Sequence, residues 1–249
     1  MPVDWFAENL RLTLLGVVDW VQRPIFAEIA GVPPAHITAQ PPVQIHQEMG
    51  NVHDAYLSVS QQAGRLDIVL TDQPTRNTSD SGAPDYRPLF WVGPLKDSLD
   101  KFDPIISKAI SMQPRATRLA YAITVIRQAQ SIREANACLR RYLPTVQFDP
   151  DRDTDLIFQI NRPIQTNSKK AINRLARWEA IQTQRIQVAI GTPVIPALQP
   201  APTVFAARVY VDISTDTTNT VPFARSDIPE LVNELRDQAI SIIEHGDGQ

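Results

Sequence analysis

Apolar side chains in this chain recur with two different periods, and the switching between them limits what it can fold into. In "VQIHQEM" (43–49) they fall on alternate residues, Val43, Ile45 and Met49, as in a strand with one covered face. In "PLKDSLDKFDPIISKAI" (94–110), Leu95, Leu99, Phe102, Ile106 and Ala109 recur every third or fourth residue, as in an amphipathic helix. Strands with one apolar face need helices to cover them, so the class is α+β.

The periods place elements along the chain. "LRLTLLGVV" (10–18) predicts a buried strand, and "DWVQRPIFAEIAG" (19–31) a short helix between an Asp19 N-cap and a Gly31 stop. "VPPAHITAQPP" (32–42) predicts a rigid loop. Strands follow over 43–49, 53–61 and 65–71, with turns at Gly50-Asn51 and Ala63-Gly64. Residues 72–88 are nearly devoid of apolar side chains and predict an exposed loop. The helix at 94–110 must kink at Pro104 or restart after Asp103. The order then begins again. Strands are expected at 117–126, 155–161 and 204–214, and a strand pair is preferred over a helix at 172–190. Helices are expected at 131–143 and 227–245. The last opens with Pro229 in its first turn and carries a stripe from Ile228 to Ile242. Each half puts a short helix after its first strand and a long helix at its end. The expected architecture is therefore two similar lobes, 1–113 and 114–249, each an antiparallel sheet covered by a short and a long helix.

Composition narrows the function classes. A hydrophobic fraction of 43% belongs to a folded chain. Nine glycines against 21 prolines argue against phosphate-cradling loops. Neither G-x-x-x-x-G-K-[ST] nor G-x-G-x-x-G occurs, and G-x-S-x-G is missing too. The one cysteine, Cys138, permits no intrachain disulfide and sits beside Leu139 on the expected buried side of a helix. No run approaches 18 apolar residues, and Asp4 and Glu8 precede the first apolar stretch, unlike a secretory leader. A cytoplasmic protein with no membrane span and no cofactor is expected.

Two places could hold a metal. His46, Glu48 and His53 surround the expected hairpin turn, but H-x-E-x4-H is no known ligand signature and lacks a fourth donor. The preferred reading is a hairpin whose His46 and Glu48 face solvent. "DPDRDTD" (149–155) begins like a calcium loop, yet Thr154 stands where glycine is needed and Ile160 where glutamate is needed. An acidic, hydrated connection is the better reading.

Charge is unevenly spread. Residues 1–112 carry 8 Lys/Arg against 13 Asp/Glu, residues 113–190 carry 13 against 6, and residues 191–249 carry 3 against 8. The densest basic stretch, "NRPIQTNSKKAINRLARW" (161–178), contains Arg162, Lys169, Lys170, Arg174, Arg177 and the closing Trp178. Cations beside an aromatic ring suit a nucleic-acid backbone with a stacked base. The same segment could instead face acidic surfaces of a protein partner or of another copy. With no catalytic signature, the expected function is a non-catalytic interaction subunit, with nucleic-acid binding through 162–178 as the alternative.

The repeated "INR" (160–162 and 172–174), the strand "ARVYVDIS" (207–214) and the closing amphipathic helix resemble a sporadically distributed, functionally uncharacterised bacterial family of about 250 residues, a length that fits one large or two small domains. The resemblance covers mainly residues 117–245. It implies no cofactor or catalytic residue. Its patchy distribution suggests accessory genes, such as those of phage defence.

Overall fold

The computed structural model describes residues 4–16, 24–73, 89–112, 114–165, 171–184 and 203–246. The expected N-cap Asp19, most of the loop expected at 72–88, and Lys169 and Lys170 lie outside these residues.

The first strand, β1 (Phe6–Leu15), alternates along its length. Leu10, Leu12 and Leu14 are buried on one side, while Asn9, Arg11 and Thr13 occupy the other. A five-residue helix α1 (Phe26–Ala30) follows, closed by Gly31 in the left-handed conformation (φ 75°), where the missing Cβ removes the usual strain. Four strands form a meander: β2 (His36–Gln40), β3 (Ile45–Val52), β4 (Ala55–Gln62) and β5 (Arg65–Thr71). A two-residue strand β6 (Gly93–Pro94) leads into helix α2 (Leu95–Ser111). The second half comprises β7 (Arg118–Ala129), helix α3 (Ile132–Arg140), β8 (Ile157–Asn161), β9 (Ile164–Gln165), β10 (Ala171–Gln184), β11 (Thr203–Thr215) and helix α4 (Ile228–His245).

These strands do not divide into two lobes. Among the described residues they form one 11-stranded antiparallel sheet, ordered β2-β3-β4-β5-β1-β7-β11-β10-β8, with β6 on β1 and β9 on β10. The seam between the halves is itself a strand pair: β1 and β7 run antiparallel from Phe6↔Ile126 to Leu15↔Arg118. Outward from that seam, each half sets its last strand beside its first. The periodicity identified the strands but not their lateral neighbours. Separate lobes would have left β1 and β7, among the most apolar strands, as open edges, and joining them removes both.

All four helices lie against one face. Registers align a row of side chains across it: Ile37, Glu48, Val59, Ile68, Leu12, Tyr121, Ile213 and Arg174. The aliphatic members from Val59 to Ile213 are fully buried, and each is worth about 1.5–3 kcal/mol relative to exposure. Helices α2 and α4 cover the centre of this row and α3 covers β10 and β11. Helix α3 begins with Ser131, whose Oγ accepts from Glu134 N at 3.2 Å.

Several local expectations are corrected. Residues 36–40, expected as loop, form the edge strand β2. It is short, fully exposed and flanked by prolines, so it carries no apolar pattern to read. Helix α2 runs continuously through Pro104, which lies on its exposed side, where water can satisfy the carbonyl that proline leaves unpaired. The hairpin turn falls at His53-Asp54, with His53 at φ 56°, and not at Gly50-Asn51. Gly50 lies inside β3 because the backbone of Ala35 and the ring of Phe26 approach it. A Cβ there would sit 3.0 Å from Ala35 N and from Phe26 Cζ. The expected turn at Gly64 (φ 68°) is present.

Crowding at Gly50 makes a direct expectation. Gly50→Val should cost about 1–3 kcal/mol in urea denaturation, whereas Asn51→Val, at an exposed neighbour, should stay within about 0.5 kcal/mol.

Candidate interaction face

The hairpin that carries two histidines is built differently from its reading as a solvated turn. Glu48 is wholly buried beneath α1. Its Oε2 accepts the backbone N–H groups of Ile25 at 2.8 Å and Phe26 at 2.9 Å, which satisfies donors at the helix start. His46 Nε2 lies 3.7 Å from its other oxygen. His53 stands at the far end of β3, roughly 20 Å or more away at about 3.4 Å per residue. The two histidines therefore cannot share a ligand. No group of three or more His, Cys, Asp or Glu among the described residues is placed to hold a metal ion. The acidic run at 149–155 caps its own turns: Asp149 Oδ1 accepts from Asp151 N at 3.0 Å and Asp153 Oδ2 from Asp149 N at 2.8 Å. Cys138 is buried in α3, and burial foremost pushes its thiol pKa up, against the influence of Arg127.

The basic segment does not present one surface. Residues 171–184 are a strand, so Arg174 and Arg177, three apart, point to opposite sides. Arg174 shares the helix-side row with Ile213, and the backbone N–H of Arg162 donates to its carbonyl at 3.0 Å. Burial, then the Arg162 charge, lowers the Arg174 pKa. Arg177 on the other face pairs with Glu179 Oε2 at 2.5 Å. Trp178 is 1% exposed and packs on Phe158 at 5.8 Å between ring centroids, so its ring is not available to stack on a base.

The broad feature is the face to which Arg177 belongs. Among the described residues no helix packs on it. Its central strand β7 contributes Ala120, Ala122 and Thr124, which leave a low floor between β1 and β11. Long side chains from the flanking strands reach across that floor. Arg11 Nη2 on β1 donates to Asp212 Oδ2 on β11 at 3.0 Å, and the Tyr210 hydroxyl donates to the same oxygen at 2.8 Å. Burial, then the Asp212 charge, holds the Tyr210 hydroxyl above its ordinary pKa, so it remains a donor. Glu8, at the point where the β1–β7 register shifts, accepts from Arg208 Nε at 2.6 Å. Arg208 also donates to Glu179 Oε1 at 3.0 Å. The result is a chain of alternating charge, Arg177–Glu179–Arg208–Glu8, over the middle of the sheet. Farther out, Asp67 joins Thr13 (2.6 Å) and Arg65 (2.6 Å). One corner is apolar. Phe6 and Trp91 meet at 5.3 Å over Ile126 and Ala206, beside Phe90, which is 47% exposed.

Glu8, Arg11, Glu179, Arg208, Tyr210 and Asp212 did not stand out by motif. For Arg11, Arg208, Tyr210 and Asp212 the signal is the polar half of the alternation in "FAENLRLTLL" and "ARVYVDIS"; Glu8 sits at the register shift and Glu179 on β10. No described helix is long and apolar enough to cross a membrane. No family model matches the chain, and no curated protein matches it significantly.

Glu179, only 8% exposed along its side chain, is paired with both Arg208 and Arg177. Arg208→Met should destabilise by about 1–3 kcal/mol, within the range for a charge left short of a partner. The double variant Arg208→Met/Glu179→Gln should recover part of the loss in a urea-denaturation cycle. A double-variant loss equal to the sum of the Arg208→Met and Glu179→Gln losses would show that the pair is not coupled.

Proposed function

We propose that this protein is a non-catalytic interaction protein, one subunit of a larger assembly, and that it docks a protein partner on the helix-free face of its sheet. The observation that carries this reading is the pre-paired Arg–acid–Tyr network spanning β1, β11 and β10 over the alanine floor of β7. Side chains already held in one geometry lose little conformational freedom when a partner arrives. Arginine, tyrosine and tryptophan are the types that concentrate binding energy, and this face combines Arg11, Arg208 and Tyr210 with the Phe6–Trp91 corner. Alternating sign over short distances selects a partner whose charges match in register. The sequence resemblance to an accessory, phage-defence type of family would place such an assembly in a bacterial cell.

The test is recovery of the tagged chain from its native host, with cross-linking and mass spectrometry on the wild type and on Tyr210→Ala/Phe90→Ala. A partner cross-linked to β1, β10 or β11 and released at least tenfold more readily by the double variant, at unchanged melting temperature, is the expected result. A partner that holds both proteins equally, or a strict monomer with no partner at low and high salt, would remove the proposal.

A further inference from the structure

On the opposite, helix-covered face, α2 and α4 leave a cleft of about 450 Å³ between them, within the range of small-molecule sites. Ile106 and Ile110 of α2 and Val232 of α4 form its apolar walls. Arg236 Nη1 closes one side by donating to Asp103 Oδ2 at 2.9 Å, and Arg225 and Asn233 stand at the mouth. Tyr121 of β7 contributes to the floor. Its side chain is fully buried and its ring packs on Phe102 at 6.2 Å, yet its hydroxyl has no hydrogen-bond partner.

That hydroxyl is costly where it stands. Its neighbours in the row across the sheet, Leu12 and Ile213, are aliphatic, and a phenylalanine would fill the same volume without burying a donor. Burial, then the Asp103 charge, pushes its pKa far up, so it stays protonated and can only donate or accept as a neutral group. Around it, Asn233 and the two N–H groups of Arg236 that are not bonded to Asp103 or Asp237 offer further donors. A donor-rich polar end above apolar walls complements an acceptor joined to a hydrocarbon.

We infer that this cleft binds a small carboxylate with an apolar body, its carboxylate accepting from Tyr121 and Arg236 and its chain lying against Ile106, Ile110 and Val232. The site is separate from the docking face and does not depend on it.

Hexanoate is a suitable probe, with hexylamine as its charge-reversed control, titrated into the full chain by calorimetry and by NMR. Saturable one-site binding of hexanoate is expected, with hexylamine at least tenfold weaker. Tyr121→Phe should weaken hexanoate about tenfold, the equivalent of one hydrogen bond to a charged group. Without ligand it should melt no lower than the wild type, because it deletes an unpartnered buried hydroxyl. Ser107→Trp, at an exposed position on the rim, should block the cleft while leaving the melting temperature unchanged. The inference is overturned if hexanoate fails to saturate the wild type, if Tyr121→Phe or Ser107→Trp binds it as well, or if hexylamine binds equally. A melting temperature lowered by several degrees in Tyr121→Phe would also overturn it, since the hydroxyl would then be serving the fold.

Discussion

The pairing of β1 with β7 is the contact on which the rest of the molecule depends. It turns two meanders into one sheet and brings Leu12 beside Tyr121 on one side and Arg11 beside Ala122 on the other. Because β11 pairs with β7 in turn, side chains on β1 and β11 stand two strands apart with a strand of small residues between them. Arg11 and Glu8 can reach Asp212 and Arg208 only because of that arrangement. The helix side is set by the same pairing, since α2 and α4 pack over the strands that flank the seam and thereby enclose the space above Tyr121.

The two faces of the sheet are held by different physics. On the helix side, stability comes from apolar area removed from water, and two of the polar intrusions are handled differently: one oxygen of Glu48 takes two backbone donors, whereas the Tyr121 hydroxyl is left without a partner. On the other side, carboxylates, some of them buried, are paired with partly exposed arginines. Such pairs add little to stability when solvated, so their value lies in fixed geometry more than in free energy.

Much of the fold was legible, because period two and period three-and-a-half separate cleanly in β3, β4, β5, β7, β11, α2 and α4. What escaped was information that local periodicity does not carry. Lateral order depends on which edges are too apolar to leave open, and this is a property of the whole set of strands. The strand pair expected at 172–190 is, in its described part, the single strand β10, and the parity of 174 and 177 within it assigns those cations to opposite sides although the sequence groups them as one surface. Gly50 predicts a turn by residue type, but it marks a close approach by Phe26, a residue distant in sequence. Val43, Ile45 and Met49 make the better apolar face by sequence, which predicts Glu48 in solvent. Its role under α1 follows from where that helix lands, which no residue in the hairpin announces.

The seam also has a consequence in time. The residues that meet across it are more than a hundred positions apart in the chain. During synthesis the amino-terminal meander and α2 can assemble while β7 is still to be made, and throughout that interval one border of β1 offers unpaired amides to any passing strand. A first half that folded early would therefore have its most adhesive margin uncovered until growth of the polypeptide supplied the cover.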